Sequence, residues 1–160
     1  MDEKKLHRLL DRMEISDTVI RYATGIDMCN WDLFRTCFTN EIEVDFSSFS
    51  GAPPQKISAD DWVDMVRTSL GGFRSTQHLS TNHVITIDGD RATCISYMQA
   101  QHYLPNDKGD SSLTLGGYYT NKLVRTDNGW KICNCKLTVT WSTGNRHVFK
   151  LAQKQLSNKK

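Results

Sequence analysis

The chain has 160 residues, which corresponds to about one domain at ~150 residues per domain. Hydrophobic residues make up 38% and charged residues 24%, with three prolines and ten glycines. This composition excludes collagen-like, mucin-like and largely disordered proteins. Lys and Arg (20) nearly balance Asp and Glu (18), and a net charge of +2 attracts polyanions weakly. We therefore expect a single domain over residues 1–160 that does not bind nucleic acid.

Membrane and secretion signals are not found in the sequence. No stretch approaches the ~18 apolar residues of a transmembrane helix, and the N-terminus has no apolar segment typical of a secretion signal. The five cysteines form no C-x-x-C pair, and their odd number argues against a disulfide framework. We expect a cytoplasmic protein with reduced thiols and no membrane contact. His, Cys and acidic residues show no metal-ligand spacing, so no metal is expected.

Helical patterns come first along the chain. Residues 3–28 predict one long helix, whose apolar residues recur at spacings of three, four and seven. They are Leu6, Leu9, Leu10, Met13 and Ile20. A short second helix is predicted after Asn30, a good N-cap. Its apolar residues are Trp31, Leu33, Phe34 and Phe38.

The next segments predict a strand, a loop and a third helix. Ile42, Val44 and Phe46 alternate with acidic residues, which is a strand pattern. Residues 47–54 are rich in turn-forming types and predict a loop. Ser58 is the expected N-cap of a helix that Gly71-Gly72 ends. The apolar residues of this helix are Trp62, Met65, Val66 and Leu70.

The second half of the chain predicts strands. Residues 74–142 contain four β patterns, and Asp88-Gly89-Asp90 and Asp127-Asn128-Gly129 lie at two hairpin turns. A short helix is predicted over 145–156, followed by the polar residues 157–160. Helices followed by an antiparallel meander indicate an α+β domain in which a curved sheet wraps a helix and encloses a pocket. Its core is expected at about 6–142, with a C-terminal helix and tail at 145–160.

Asp27 is the first candidate site residue. Counting in sevens from Leu6 through Met13 and Ile20 places it on the predicted apolar stripe. It also lies near a helix C-terminus, where the macrodipole disfavours a negative charge by ~0.3–1 kcal/mol. Burial and the dipole would both raise the pKa of its carboxyl unless a cation or donor pairs with it. The alternative is that the helix frays at Gly25 and Asp27 caps the next helix.

Tyr22 and three strand histidines are further candidates. Tyr22 could donate to a substrate oxygen or be a core tyrosine. His102 follows Ala92, Cys94, Ser96, Met98 and Ala100 at a period of two, which favours a pocket position. Strict alternation from Ile85 points Leu79 inward and His78 outward. The same alternation makes His83, and not His78, the preferred inward-facing histidine. A β-bulge before Val84 would reverse this for His78.

Two features of the last strands have structural interpretations. The residues that share one face by alternation are Cys133, Cys135, Leu137, Val139 and Trp141, and the thiols there are expected to be small core groups. Gly116-Gly117 lies inside a strand pattern, which indicates a bend or a close backbone approach and not a phosphate loop.

Several motifs together resemble the SnoaL-like branch of the nuclear transport factor 2-like superfamily, over about Leu6 to Trp141. They are Tyr22-Ala-Thr-Gly-Ile-Asp27, Asn30-Trp31-Asp32-Leu33, Thr76-Gln77-His78, Gly116-Gly117-Tyr118-Tyr119-Thr120 and Asp127-Asn128-Gly129-Trp130-Lys131. The chain is similar to the group that contains scytalone dehydratase, bile acid 7α-dehydratase and hexachlorocyclohexane dehydrochlorinase. The resemblance implies a cone-shaped α+β barrel, no cofactor, and a homo-oligomer, with a trimer favoured over a dimer.

The resemblance also assigns roles to residues. Asp27 and His78 match the family's aspartate and the histidine that it orients, which together form a base, and this implies the bulge that turns His78 inward. Tyr22 matches the tyrosine of the bile acid enzyme, and His102 matches a second histidine of scytalone dehydratase. The chain departs from the family pattern at several positions. Ile26 replaces a tyrosine beside the aspartate, Gly117 and Tyr119 replace a strand serine and asparagine, Phe46 replaces a tyrosine, and Cys135 and Val139 stand where other members have arginine or lysine.

The expected function is a cofactor-free lyase or isomerase that eliminates by an Asp–His base from a hydrophobic, ring-containing small molecule. The catalytic residues would be Asp27, His78, Tyr22 and His102. The residues expected to contact substrate are Trp31, Phe46, Phe49, Met98, Tyr119 and Trp141. Two alternatives stay open: a cyclase of the polyketide or terpenoid type, and a non-catalytic ligand-binding or assembly module. The non-catalytic module predicts a filled cone or an Asp27 too far from His78 to bond.

Overall fold

A computed structural model of the protein describes residues 2–158. Its helices are α1 (Glu3–Asp27), α2 (Trp31–Arg35), α3 (Ser47–Ser50), α4 (Ala59–Leu70) and α5 (Val148–Ser157). Its strands are β1 (Phe38–Asp45), β2 (Gln55–Ser58), β3 (Ser75–Asp88), β4 (Arg91–Tyr103), β5 (Ser112–Thr126) and β6 (Gly129–Gly144). The predicted polar tail continues to Lys160, and its last two residues lie outside the described range. Within that range, no helix combines the length and apolar character needed to cross a membrane.

The strands form one curved, unclosed sheet with the order β2-β1-β6-β5-β4-β3. Strands β3 to β6 form the predicted antiparallel meander, and β1 pairs with β6 in parallel. Both predicted hairpin turns are confirmed, and Gly89 has the positive φ of 57° that such a turn needs. The α1 helix packs against the inside of the sheet, so the predicted α+β cone is confirmed.

The buried face of α1 is not the predicted one. The five residues of the predicted stripe are 38–55% exposed. The helix instead buries Ile15, Val19, Tyr22 and Ile26 against the sheet. The first three turns of α1 have no buried residue, so a stripe counted from Leu6 begins outside the core. The helix does not fray at Gly25, and Asp27 is its last residue.

The segment after α1 follows the predictions in part. Asn30 caps α2 by accepting a hydrogen bond from the Leu33 amide, as predicted. Phe38 is the first residue of β1 and does not belong to α2, which corrects that assignment. Residues 47–54 hold the short helix α3, and β2 follows directly, so this segment is not all loop. Ser58 caps α4 as predicted, by accepting from the Asp61 amide.

A β-bulge in β3 sets the direction of its side chains. Thr81 pairs with Tyr97 and Val84 pairs with Ile95, so two residues of β3 lie opposite one residue of β4. Asn82 takes the extra turn with a φ of 54°. The bulge reverses the alternation, so His78 faces the inside of the cone and Leu79 is 47% exposed. The bulge implied by the family resemblance is therefore confirmed.

Two irregularities in β6 correct the predicted common face. The pairing with β5 shifts between Lys122 and Leu123 and again between Gly116 and Gly117. As a result, Cys135 and Leu137 are buried, whereas Cys133 is half-buried and Trp141 is 48% exposed. A Cβ atom on Gly117 would lie 2.0 Å from the Thr138 carbonyl oxygen, which confirms the predicted close backbone approach.

Candidate active site

The Asp27 carboxylate accepts three hydrogen bonds from β3. Its Oδ1 lies 2.6 Å from Nδ1 of His78 and 2.8 Å from the Thr76 hydroxyl, and its Oδ2 accepts from the His78 amide at 2.7 Å. Burial acts to raise the pKa of Asp27, but the bonds from His78 and Thr76 outweigh it and hold the pKa below its ordinary value. These donors compensate for the unfavourable interaction between the carboxylate and the C-terminal end of the α1 dipole. Asp27 is therefore ionised at neutral pH.

The bonds to Asp27 also fix the His78 ring. Because an ionised carboxylate can only accept, Nδ1 of His78 carries a hydrogen and donates it. The neutral ring then keeps its lone pair on Nε2. The His78 side chain is 7% exposed and lines the cavity. The arrangement therefore holds an imidazole in the tautomer that can accept a proton from a bound molecule.

The cavity beside His78 has a volume of about 810 Å³. Its wall is mainly apolar and comes from α1, β1, α4, the strands of the meander and α5. Among the predicted substrate contacts, Phe46, Phe49, Met98 and Tyr119 line it. Other apolar lining residues were not among the predicted substrate contacts, and they include Ile26, Val44, Trp62, Ala100, Leu115, Leu137 and Phe149. A space of this size and character suits a ring-containing ligand.

Trp31 and Trp141 do not line the cavity, which corrects their predicted place in its wall. Trp31 packs edge-on against Phe34, with a centroid distance of 6.3 Å, and lies under the Arg67 guanidinium. Trp141 lies beyond the irregularity in β6 and covers Gly116. Trp141 was misplaced because the alternation of β6 was continued past this irregularity.

Two phenols lie together in the cavity wall. The rings of Tyr22 and Tyr119 are 5.4 Å apart, edge to face, and both side chains are buried. Burial raises the pKa of Tyr22 well above its usual range, and neighbouring Tyr119 and Cys135 add to the effect. Burial likewise raises the pKa of Tyr119, and it raises that of the Cys135 thiol to about 12. Both phenols therefore keep their hydrogens and remain donors at any physiological pH.

His102 lies next to His78 in the cavity. The two ring centroids are 5.4 Å apart and nearly perpendicular, and Phe73 and Phe149 pack against His102. His102 is 3% exposed, and burial lowers its pKa to about 3, with the nearby His78 acting in the same direction. Among the described residues, its Nδ1 has no hydrogen-bond partner. His102 is thus a neutral ring that is available to a ligand.

Thr76 and α5 are the parts of the site that had no predicted role. Thr76 belongs to the quoted Thr76-Gln77-His78 motif, and its spacing of two from His78 placed it on the same strand face. The α5 helix contributes Phe149 and the exposed Lys150 to the wall, and the turn before it contributes the exposed Arg146 and His147. The apolar spacing in 145–156 predicted this helix but contained no signal for the surface that it covers.

The described residues contain no group of three or more His, Cys, Asp or Glu side chains arranged to hold a metal ion. His83, which the alternation preferred, lies outside the cavity wall. Its ring nitrogens contact the hydroxyls of Ser16 at 2.7 Å and Ser80 at 2.9 Å. We attribute to His83 a structural role, joining α1 to the bulged part of β3.

Comparisons with known proteins agree with this geometry. A family model described as a SnoaL-like domain matches residues 7–136. A crystal structure of a Kribbella flavida protein is 36% identical, covers 89% of this chain and 99% of its own, and superposes with a TM-score of 0.85. An uncharacterized protein of Mycobacterium tuberculosis is 27% identical over 122 residues, which is 76% of this chain and 80% of that protein.

The same fold occurs in a structure with a named activity. A hexachlorocyclohexane dehydrochlorinase from Novosphingobium barchaimii superposes with a TM-score of 0.75, at 19% identity over 89% of this chain and 94% of that one. Identity at this level shows a common fold and no more.

Proposed function

Because the chain belongs to the family of SnoaL-like domains, we propose that it is a lyase or isomerase that works without a cofactor. Its reaction begins when Nε2 of His78 removes a proton from a carbon atom of a hydrophobic, ring-containing small molecule. The observation that carries the proposal is the 2.6 Å contact between Asp27 and Nδ1 of His78 at the wall of an 810 Å³ cavity.

Asp27 supports the base in two ways. It holds the His78 ring in one tautomer, and its negative charge stabilises the imidazolium that forms when the proton is taken. Since the pKa of Asp27 is below its ordinary value, the carboxylate stays charged while His78 gains the proton. The proton moves from substrate carbon to Nε2 and does not pass to Asp27.

The oxygen atoms of the substrate need hydrogen-bond donors. Tyr22 and Tyr119 keep their hydrogens, and either phenol can donate to a carbonyl that acidifies the neighbouring C–H bond. His102 is neutral and adjacent to His78, so a ring N–H of His102 can donate to a leaving oxygen. Positioned acid–base groups each contribute ~10²–10⁴-fold to the rate, which suffices for a carbon acid activated by a carbonyl.

The site geometry argues against a non-catalytic module, but it does not distinguish a lyase from a cyclase. A non-catalytic module predicts a filled cone or separated Asp27 and His78 side chains, and neither is found among the described residues. A cyclase would use the same base to form a carbon–carbon bond. Elimination, isomerisation and cyclisation therefore share the first proton transfer and differ in the product, so product analysis distinguishes them.

Hydrogen–deuterium exchange tests the shared first step. We choose 2-tetralone, a bicyclic ketone whose C–H bonds beside the carbonyl are acidified, and follow exchange in D₂O by ¹H NMR. The protein should accelerate exchange, and His78→Ala should lose the acceleration by about 10²-fold or more. The matched control is His7→Gln, because His7 is an exposed imidazole on α1 outside the cavity. Equal exchange by the native protein and His78→Ala would refute the proposed base.

A further inference from the structure

The charged groups of the cavity wall are distributed unevenly. The apolar interior carries the imidazoles of His78 and His102, and the two formally charged side chains in the wall are Arg146, in the turn before α5, and Lys150 of α5. No carboxylate belongs to the wall as described, because Asp27 lies behind His78. A ligand in this cavity therefore meets an apolar body and a basic outer end.

Arg146 is held in place without being neutralised. Its guanidinium donates to the Phe49 carbonyl at 2.7 Å and stacks 4.8 Å above the Phe49 ring. Ion pairs between residues of the described range include neither Arg146 nor Lys150. Because one carbonyl uses a single N–H of the five on an arginine, the remaining donors are free for a ligand.

The sequence after Asp127 is basic. No Asp or Glu occurs after Asp127, while the same stretch contains Arg146, Lys150 and Lys154 on or beside α5. Arg146 lies in the turn before α5 and Lys150 in the first turn of that helix, and both side chains are exposed and line the cavity. An anion bound at this part of the cavity would therefore be attracted by two cations.

We propose that the substrate of this cavity is an amphipathic carboxylic acid. Its ring system occupies the apolar interior beside His78, and its carboxylate binds Arg146 and Lys150 at the outer end. The planar guanidinium of Arg146 suits a carboxylate, which can accept two parallel hydrogen bonds from it. The proposal rests on the proposed function for the position of the reacting carbon beside His78, whereas the anion contact depends only on Arg146 and Lys150.

A matched pair of fluorescent probes tests the anion contact. 1-Pyrenebutyrate and 1-pyrenebutanol share one aromatic body and differ in the carboxylate. We expect the acid to bind more tightly than the alcohol, with affinity that falls as salt is added. Arg146→Gln and Lys150→Gln should each weaken binding of the acid by about three- to tenfold and leave the alcohol unchanged. Lys154→Gln, a charge-matched change on α5 outside the cavity wall, should alter neither.

Among the described residues, Lys150 makes no hydrogen bond or ring contact like that of Arg146 with Phe49. Using both variants therefore separates loss of the anion contact from an effect on folding. Equal affinity for acid and alcohol, or equal losses for both probes in the variants, would overturn the proposal. Asp27→Asn separates this result from the proposed function. It should retain tight 1-pyrenebutyrate binding while losing exchange of 2-tetralone, so the carboxylate contact and the His78 base succeed or fail independently.

Discussion

Asp27 combines three functions in one carboxylate. It ends α1, it joins that helix to β3 through Thr76 and the His78 amide, and it sets the tautomer of the His78 ring. Thr76 is a positioning residue, because it touches Asp27 and belongs to no part of the cavity wall. The chemistry proposed for His78 therefore depends on a group that does not itself contact the ligand.

We expect Asp27→Asn to reduce exchange of 2-tetralone by about 10²- to 10⁴-fold. An amide at this position can donate to Nδ1 of His78, which would place the ring hydrogen on Nε2 and remove the free lone pair. The ¹⁵N chemical shifts of the His78 ring report the tautomer directly. Asp17→Asn is the matched control, since Asp17 is an exposed aspartate on the same helix. An active variant with the native ring shifts would contradict the role of Asp27.

At the scale of elements, α5 closes the outer side of the cavity by packing on the end of α4. Phe149 contacts Phe49, Phe73 and His102, with ring centroids 4.8–5.3 Å apart. Gly72 allows this approach, because a Cβ atom there would lie 1.8 Å from the Ala152 carbonyl oxygen. The backbones of α5 and the α4 end are thus in direct contact, and a methyl group cannot be placed between them.

Gly72→Ala should force α5 away from α4 and destabilise the protein by about 1–3 kcal/mol, the usual cost of overpacking. Urea denaturation measures the loss, and 1-pyrenebutyrate affinity should fall because Phe149, Arg146 and Lys150 move with α5. Thr68→Ala, an exposed change near the end of α4, serves as the control and should change neither quantity. A free energy of unfolding equal to that of the native protein in Gly72→Ala would show that α5 can move away from the end of α4 without loss of stability.

The stability of the whole molecule should depend on pH through His102. Its pKa is lowered to about 3 in the folded protein, against about 6.5 for an unfolded histidine. Between these values the unfolded chain binds a proton that the folded chain does not. The contribution of His102 to the free energy of unfolding is therefore complete above about pH 6.5. It falls as the pH is lowered toward 3, by up to about 1.4 kcal/mol per pH unit.

Urea denaturation between pH 7 and pH 4 checks this dependence. His102→Phe should flatten the slope, because the variant has no group to protonate there, whatever its absolute stability. Asp27, whose lowered pKa acts in the same direction at more acidic pH, accounts for part of the slope that remains. His7→Gln should keep the native slope. An unchanged slope in His102→Phe would assign the acid sensitivity to other groups.

Turn sequences and helix caps predicted the strands and helices that begin or end at them. The turn sequences Asp88-Gly89-Asp90 and Asp127-Asn128-Gly129 predicted the meander, and the caps Asn30 and Ser58 predicted the starts of α2 and α4. Strand β2 was missed because Ile57 is its one apolar residue among four. The buried face of α1 was misassigned because Leu6 to Met13 lie before the part of the helix that the sheet covers.

The site was harder to predict for a related physical reason. A single residue, Asn82, turns His78 inward, and no pattern of apolar residues marks a bulge before the strands pair. The family resemblance supplied that inference, and the hydrogen bonds to Asp27 agree with it. Residues of α5 lie far from Asp27 in sequence, so their place in the wall depended on tertiary packing. The homo-oligomer, a trimer for preference, stays a prediction.

The parallel pairing of β1 with β6 has a consequence for biosynthesis. The first strand finds its neighbour only after residues up to about Lys136 have left the ribosome, since β6 is the last strand made. Before that moment β1 has only β2 as a neighbour in the sheet, and such distant partners slow folding. A nascent chain whose translation pauses before β6 is complete would expose the apolar lining of the cone. Such a chain should bind chaperones until translation ends.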